Sequence, residues 1–85
     1  MNYYKGEINT PFEKYVVIYI AETDHQPAEW KVWDEAKLYG QRILAEMDDP
    51  EIDEREFIDA CEGHIICQVS DNHYTEASRD GWWCV

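Results

Sequence analysis

Residues 46–62 read EMDDPEIDEREFIDACE, and the reading of this stretch decides whether the chain is folded throughout or is a small core with an acidic appendage. It holds Glu46, Asp48, Asp49, Glu51, Asp53, Glu54, Glu56, Asp59 and Glu62 against the single base Arg55. Nine acids less one base is −8, out of −12 for the whole chain. A solvated tail would carry this charge without helix signals. Here Asp53 is followed three residues later by Glu56, the spacing of a capping box, and Ile52 stands where it can staple onto Phe57. Phe57, Ile58 and Cys61 fall on one helical face, and Gly63 supplies a C-terminal stop. A short helix is therefore predicted, with its carboxylates held in place by folded structure.

The segments on either side complete the fold. Pro27 suits the first turn of a helix, and Glu29 places a negative charge where the helix dipole favours it. From Ala28 to Met47, Val32, Trp33, Ala36, Gly40, Ile43, Leu44 and Met47 share one stripe at helical spacing. Lys31, Asp34, Glu35, Gln41, Arg42 and Glu46 lie opposite. This main helix would be about 30 Å long. Gly40 in its stripe admits a close neighbour despite costing about 1 kcal/mol of helix propensity. Trp30 and Leu38 fall off the stripe and are expected to be part-exposed. Asp48-Asp49-Pro50 separates the two helices.

Phe12 to Ala21 is the clearest strand. Val16, Ile18 and Ile20 alternate with Tyr15, Val17, Tyr19 and Ala21, and two apolar faces predict a central position, the second face being covered or free to associate. Tyr3, Lys5 and Glu7 suit a short edge strand stopped by Thr10-Pro11. HIICQVS at 64–70 reads as another strand. Asp71-Asn72 is a turn signal leading into a short strand over His73–Ala77, and Trp82-Trp83-Cys84-Val85 suits a final strand. The expectation is one α+β domain over residues 1–85, in the order β-α-α-β-β. A small antiparallel sheet of about three strands would carry one long and one short helix on one face.

Composition narrows the function classes. A chain of 85 residues supports one small core and no large enclosed active site. Aromatic content of 14% argues against disorder in so acidic a protein. The N-terminal residues lack the layout of a secretion signal, and the longest apolar run, Tyr15 to Ala21, is far too short to span a membrane. Three cysteines without short paired spacing point to free thiols and a cytoplasmic location. A charge of −12 disfavours direct contact with nucleic acid or anionic lipid and favours basic partners.

Chemical constellations are sparse. Cys61, His64 and Cys67 are spaced C-x2-H-x2-C, with Cys84 and His73 further on, enough donors for a zinc tetrahedron. Those three would straddle a helix end and a strand, so packing of the thiols in the core is the favoured reading. A nucleophilic cysteine needs a nearby cation or helix N-terminus. Cys61 instead falls at a helix C-terminus amid carboxylates, which would raise its pKa. No spacing singles out a carboxylate pair, and the run from Asp48 to Glu56 lacks the central glycine of a calcium loop. Neither an enzyme nor a cofactor is expected.

The acidic surface remains. A 17-residue helix would span about 25 Å, a length over which duplex DNA carries roughly 15 phosphate charges. A net −8 on one side is about half that density. In size, composition and these carboxylates the chain resembles the small phage-encoded inhibitors that imitate DNA, of the anti-restriction and anti-CRISPR kind. The resemblance covers about a fifth of the chain and includes no diagnostic motif. It implies a non-enzymatic inhibitor, monomeric or homodimeric, docking its carboxylates on a basic nucleic-acid-binding protein. Trp30, Tyr74, Trp82 or Trp83 would supply the buried anchors. Two alternatives fit the same composition. One is an antitoxin or immunity protein covering a basic toxin. The other is an assembly subunit associating through an aromatic strand face of Tyr15, Tyr19 and Trp82.

Overall fold

In the computed structural model, residues 1–79 and the backbone of Trp83 and Cys84 are described. The elements are β1 (Tyr3–Asn9), β2 (Val16–Ala21), α1 (Ala28–Met47), α2 (Glu54–Ala60), β3 (Glu62–Val69), α3 (Asp71–Arg79) and β4 (Trp83–Cys84). The α+β class stands. β1, β2 and β3 form an antiparallel sheet, and the two residues of β4 pair parallel to β2, giving the order β3-β1-β2-β4. The predicted edge strand is thus a central one. β1 pairs with β2 from Tyr3↔Ala21 to Ile8↔Val16 and with β3 from Tyr3↔Val69 to Asn9↔Glu62.

The N-terminal part of the predicted Phe12–Ala21 strand is a tight connection instead. The Thr10 amide and hydroxyl both donate to the Glu13 carbonyl (2.7 and 2.8 Å), and the Glu13 amide returns a bond to the Thr10 hydroxyl. Tyr15 takes a left-handed φ of 62°, with its amide donating to Asn9 Oδ1 at 3.0 Å. β2 therefore starts only at Val16.

α1 covers one face of the sheet. Ile8, Ile18 and Ile20 meet Ala28, Val32 and Ala36 in the core, and full burial of a side chain such as Val32 contributes about 2 kcal/mol. The approach is close because two strands offer glycine beneath Val32. A Cβ on Gly6 would lie 2.8 Å from the Val32 side chain, and one on Gly63 only 2.5 Å from the Val32 carbonyl oxygen. Gly63 is thus not the helix stop expected of it. Cys61 caps α2, and Gly63 sits inside β3, where α1 comes down on the backbone. Lys31 Nζ reaches the Ala21 carbonyl (2.6 Å) and closes the loop that leads from β2 into α1. The buried line of α1 is Ala28, Val32, Ala36 and Gly40, narrower than predicted. Trp33 and Met47 are 44% and 38% exposed, and Ile43 and Leu44 are half-buried.

The opposite face carries a helix that was not expected. Over 71–79 the turn-and-strand reading fails because Ser70 is an N-cap. Its Oγ accepts from the His73 amide (3.2 Å), and its carbonyl from Tyr74 (3.0 Å). Asp71 in the first turn and Arg79 in the last both complement the helix dipole. The helix docks by Tyr74 on Tyr3 (centroids 4.3 Å apart), His73 on Tyr19 (5.2 Å) and the buried Ala77. The helices therefore lie on both faces of the sheet, and the order is β-β-α-α-β-α before the short β4.

Candidate protein-binding face

The acidic stretch is divided among several elements. Glu46 lies in the last turn of α1, and Asp48 follows as a left-handed C-cap (φ 48°) whose amide donates to the Leu44 carbonyl at 3.1 Å. Asp49 Oδ1 accepts from the Glu51 amide (2.9 Å) and orders the turn. Asp53 caps α2, with Oδ1 accepting from the amides of Arg55 and Glu56 (3.1 and 3.3 Å), while the Phe57 amide bonds its carbonyl. Beyond the end of α1 at Met47 only residues 54–60 are helical, so the continuous acidic rod assumed in the charge-density comparison is replaced by a helix end, a turn and a two-turn helix. All nine carboxylate residues, Glu46, Asp48, Asp49, Glu51, Asp53, Glu54, Glu56, Asp59 and Glu62, are exposed. Glu62 opens β3, with His64 Nε2 3.6 Å away.

α2 is fastened from below by a residue the sequence reading passed over. Lys37 Nζ donates to the carbonyls of Ile58 and Cys61, both at 2.7 Å, and lies 3.4 Å from that of Asp59. It supplies the cation that the C-terminus of α2 lacks in its own sequence, and it also stands 4.5 Å over the Trp33 ring. The signal was present: Lys37 is three residues before Gly40, on the side of α1 that faces α2. With Lys31 and Lys37 both directed at carbonyl oxygens, neither ammonium is used against the carboxylates.

Two open grooves flank α2. One, of about 460 Å³, runs between α1 and α2, with Leu44 and Ile58 in an apolar floor and Glu54, Arg55 and Asp59 at its sides. The other, of about 320 Å³, is lined by Phe12, Ile52, Phe57 and Ala60 with Asp53 and Glu56. Ile52 and Phe57, the two residues of the predicted staple, both line it. Phe12 is 58% exposed and stacks on Phe57 with centroids 5.5 Å apart. Sequence reasoning had assigned Phe12 to a strand and missed it as a surface aromatic. Pro11 before it was the available signal.

Of the expected anchors, Trp30 is 64% exposed on α1, away from the sheet. Tyr74 is not free, being half-buried against Tyr3. The proposed roles of Trp82, Trp83 and Cys84 concern side chains that lie outside the described residues. Cys61 is fully buried, with its Sγ 3.3 Å from the Phe57 carbonyl and Gly40 pressed against it, so that a Cβ there would fall 2.5 Å from the sulfur. Burial pushes its thiol pKa up, and Lys37 acts in the opposite direction. The rise was expected, but from carboxylates. Cys67 is exposed and pairs with Lys5 on the side of the sheet away from α1, so Cys61, His64 and Cys67 do not converge. Among the described residues no three His, Cys, Asp or Glu side chains gather as metal ligands.

The loop carrying Phe12 is joined to α1 by the Tyr39 hydroxyl, which donates to Glu13 Oε2. That bond, with burial and the carboxylate's charge behind it, raises the phenol to about 12. Among the described residues no helix is long and apolar enough to cross a membrane. No family model, curated protein or solved structure matches the chain.

Proposed function

We propose that this protein is a non-enzymatic inhibitor that presents its acidic face to the basic, nucleic-acid-binding surface of a target protein, imitating DNA, as in phage defence against restriction or CRISPR systems. The observation that carries the reading is the exposure of all nine carboxylate residues of 46–62 on ordered structure. Fixed charge of this kind sets encounter rate and specificity, and apolar surface at its centre supplies affinity. The grooves on either side of α2 place such surface among the carboxylates. The protein would act in the cytoplasm, with its thiols reduced. Inhibition through the acidic face is preferred to assembly through the aromatic strand face, because Tyr19 is buried beneath His73.

The test is capture of targets from bacterial lysate on immobilised protein, with and without excess duplex DNA, at low and moderate salt. The expected result is a nucleic-acid-binding protein that DNA displaces. It should no longer be captured when Asp48, Asp49, Glu51 and Glu54 are changed to lysine. Capture that ignores DNA, salt and those four reversals refutes the proposal.

A further inference from the structure

We infer that the groove between Phe12 and α2 is a binding site for an arginine side chain of a basic partner. The inference rests on the acidic-face reading above and specifies which residue type that face selects. Phe12 offers a ring that is 58% exposed and backed on Phe57 at an interplanar angle of 29°. The Thr10–Glu13 hydrogen bonds hold the loop that carries it, so the ring is presented with little left to order on binding. Ile52 and Ala60 complete an apolar lining, and Asp53 and Glu56 stand at its border. Both backbone bonds to Asp53 land on Oδ1, and Oδ2 accepts neither.

A guanidinium fits this combination. It is planar, weakly hydrated, stacks on aromatic faces and meets carboxylates through two parallel N–H bonds. A lysine ammonium is a compact and strongly hydrated point charge that uses the apolar lining poorly. A purely apolar occupant would desolvate two carboxylates without compensating them.

The experiment is an NMR titration of the full chain with acetylated, amidated hexa-arginine and hexa-lysine at equal ionic strength. Hexa-arginine should bind about two- to fivefold tighter, the increment an exposed cation–π contact provides. The largest shifts should fall on Phe12, Phe57 and Glu56. Phe12→Leu should erase the preference while Phe12→Tyr keeps it. Asp53→Asn, which still caps the helix, combined with Glu56→Gln, should weaken both peptides. Equal affinity for the two peptides overturns the inference, as does a preference that survives Phe12→Leu. Either result leaves the DNA-competition test of the acidic face untouched.

Discussion

Along the buried line of α1, Val32 faces Gly6 and Gly63, and Gly40 faces Cys61, at distances that leave no space for a methyl group added to any of the three glycines. From the last turn of α1 through α2, nine carboxylates in 17 residues are all exposed, and the order there rests on short local bonds at Asp49 and Asp53 and on Lys37 beneath. The first region gains stability from contact and has little charge. The second has charge and few contacts, and repulsion among its carboxylates works against compactness. Substitutions in the two regions should therefore separate, those in the seam affecting folding and those in the acidic stretch affecting binding.

The largest effect is expected at Gly63. Its methyl would strike the Val32 carbonyl, which is backbone and cannot rotate away, so Gly63→Ala should cost about 3 kcal/mol in chemical denaturation. Gly40→Ala meets a side chain, Cys61, and gains about 1 kcal/mol of helix propensity, so a smaller loss is expected. Adding Cys61→Ala should recover part of it in a double-mutant cycle. Equal losses at the two glycines would mean that the seam is less tight than its geometry.

Lys37 joins the two regions. Lys37→Met keeps an unbranched side chain of similar length and removes the charged donor together with its place over Trp33, and a loss of about 1.5–3 kcal/mol is expected. Hydrogen exchange should rise first at the amides of α2. Uniform loss of protection would place Lys37 in the common core instead.

Tyr39 gives a pH signature. Its phenol is raised to about 12 from the ordinary 10.0, so the folded state holds this proton more tightly than the unfolded chain. Its contribution to stability is fully present below pH 10 and is lost as pH rises toward 12. Ultraviolet titration of the folded protein should show a tyrosine component delayed toward pH 12, and Glu13→Gln should return that component toward 10.

The smallest effect on stability is expected from the acids. Changing Asp48, Glu51 and Glu54 to amides should leave the unfolding free energy within about 0.5 kcal/mol at moderate salt. At low salt it should stabilise the protein slightly, as added salt should stabilise the unmodified chain. A large loss would show that these carboxylates are structural.

Legibility in the sequence followed the range of the interactions. α1 was readable end to end, and α2 from its Asp53 cap, because caps, breaks and stripes lie within one or two turns. α3 was also local but was misread. Asp71-Asn72 signalled a turn, while Ser70 one residue earlier was the cap that prevailed. β1 had no local sign of centrality, since its neighbours are chosen by pairing with Ile65 and Cys67 near the far end of the chain. Exposure of the carboxylates was predictable from the cost of burying charge without partners. The grooves were not, because Phe12 meets Phe57, and Leu44 and Ile58 come to line one groove, only after α2 has folded back.

The central place of β1 also affects how quickly the molecule can assemble. Its pairing with β2 closes a hairpin at once, but Gly6 meets Ile65 across roughly sixty residues, and closing that longer loop costs about 2 kcal/mol more in chain entropy. The loop to be closed contains the whole acidic stretch, so its self-repulsion opposes the contact that completes the sheet. Folding should be slow for a chain this short, and salt should accelerate it more than it slows unfolding.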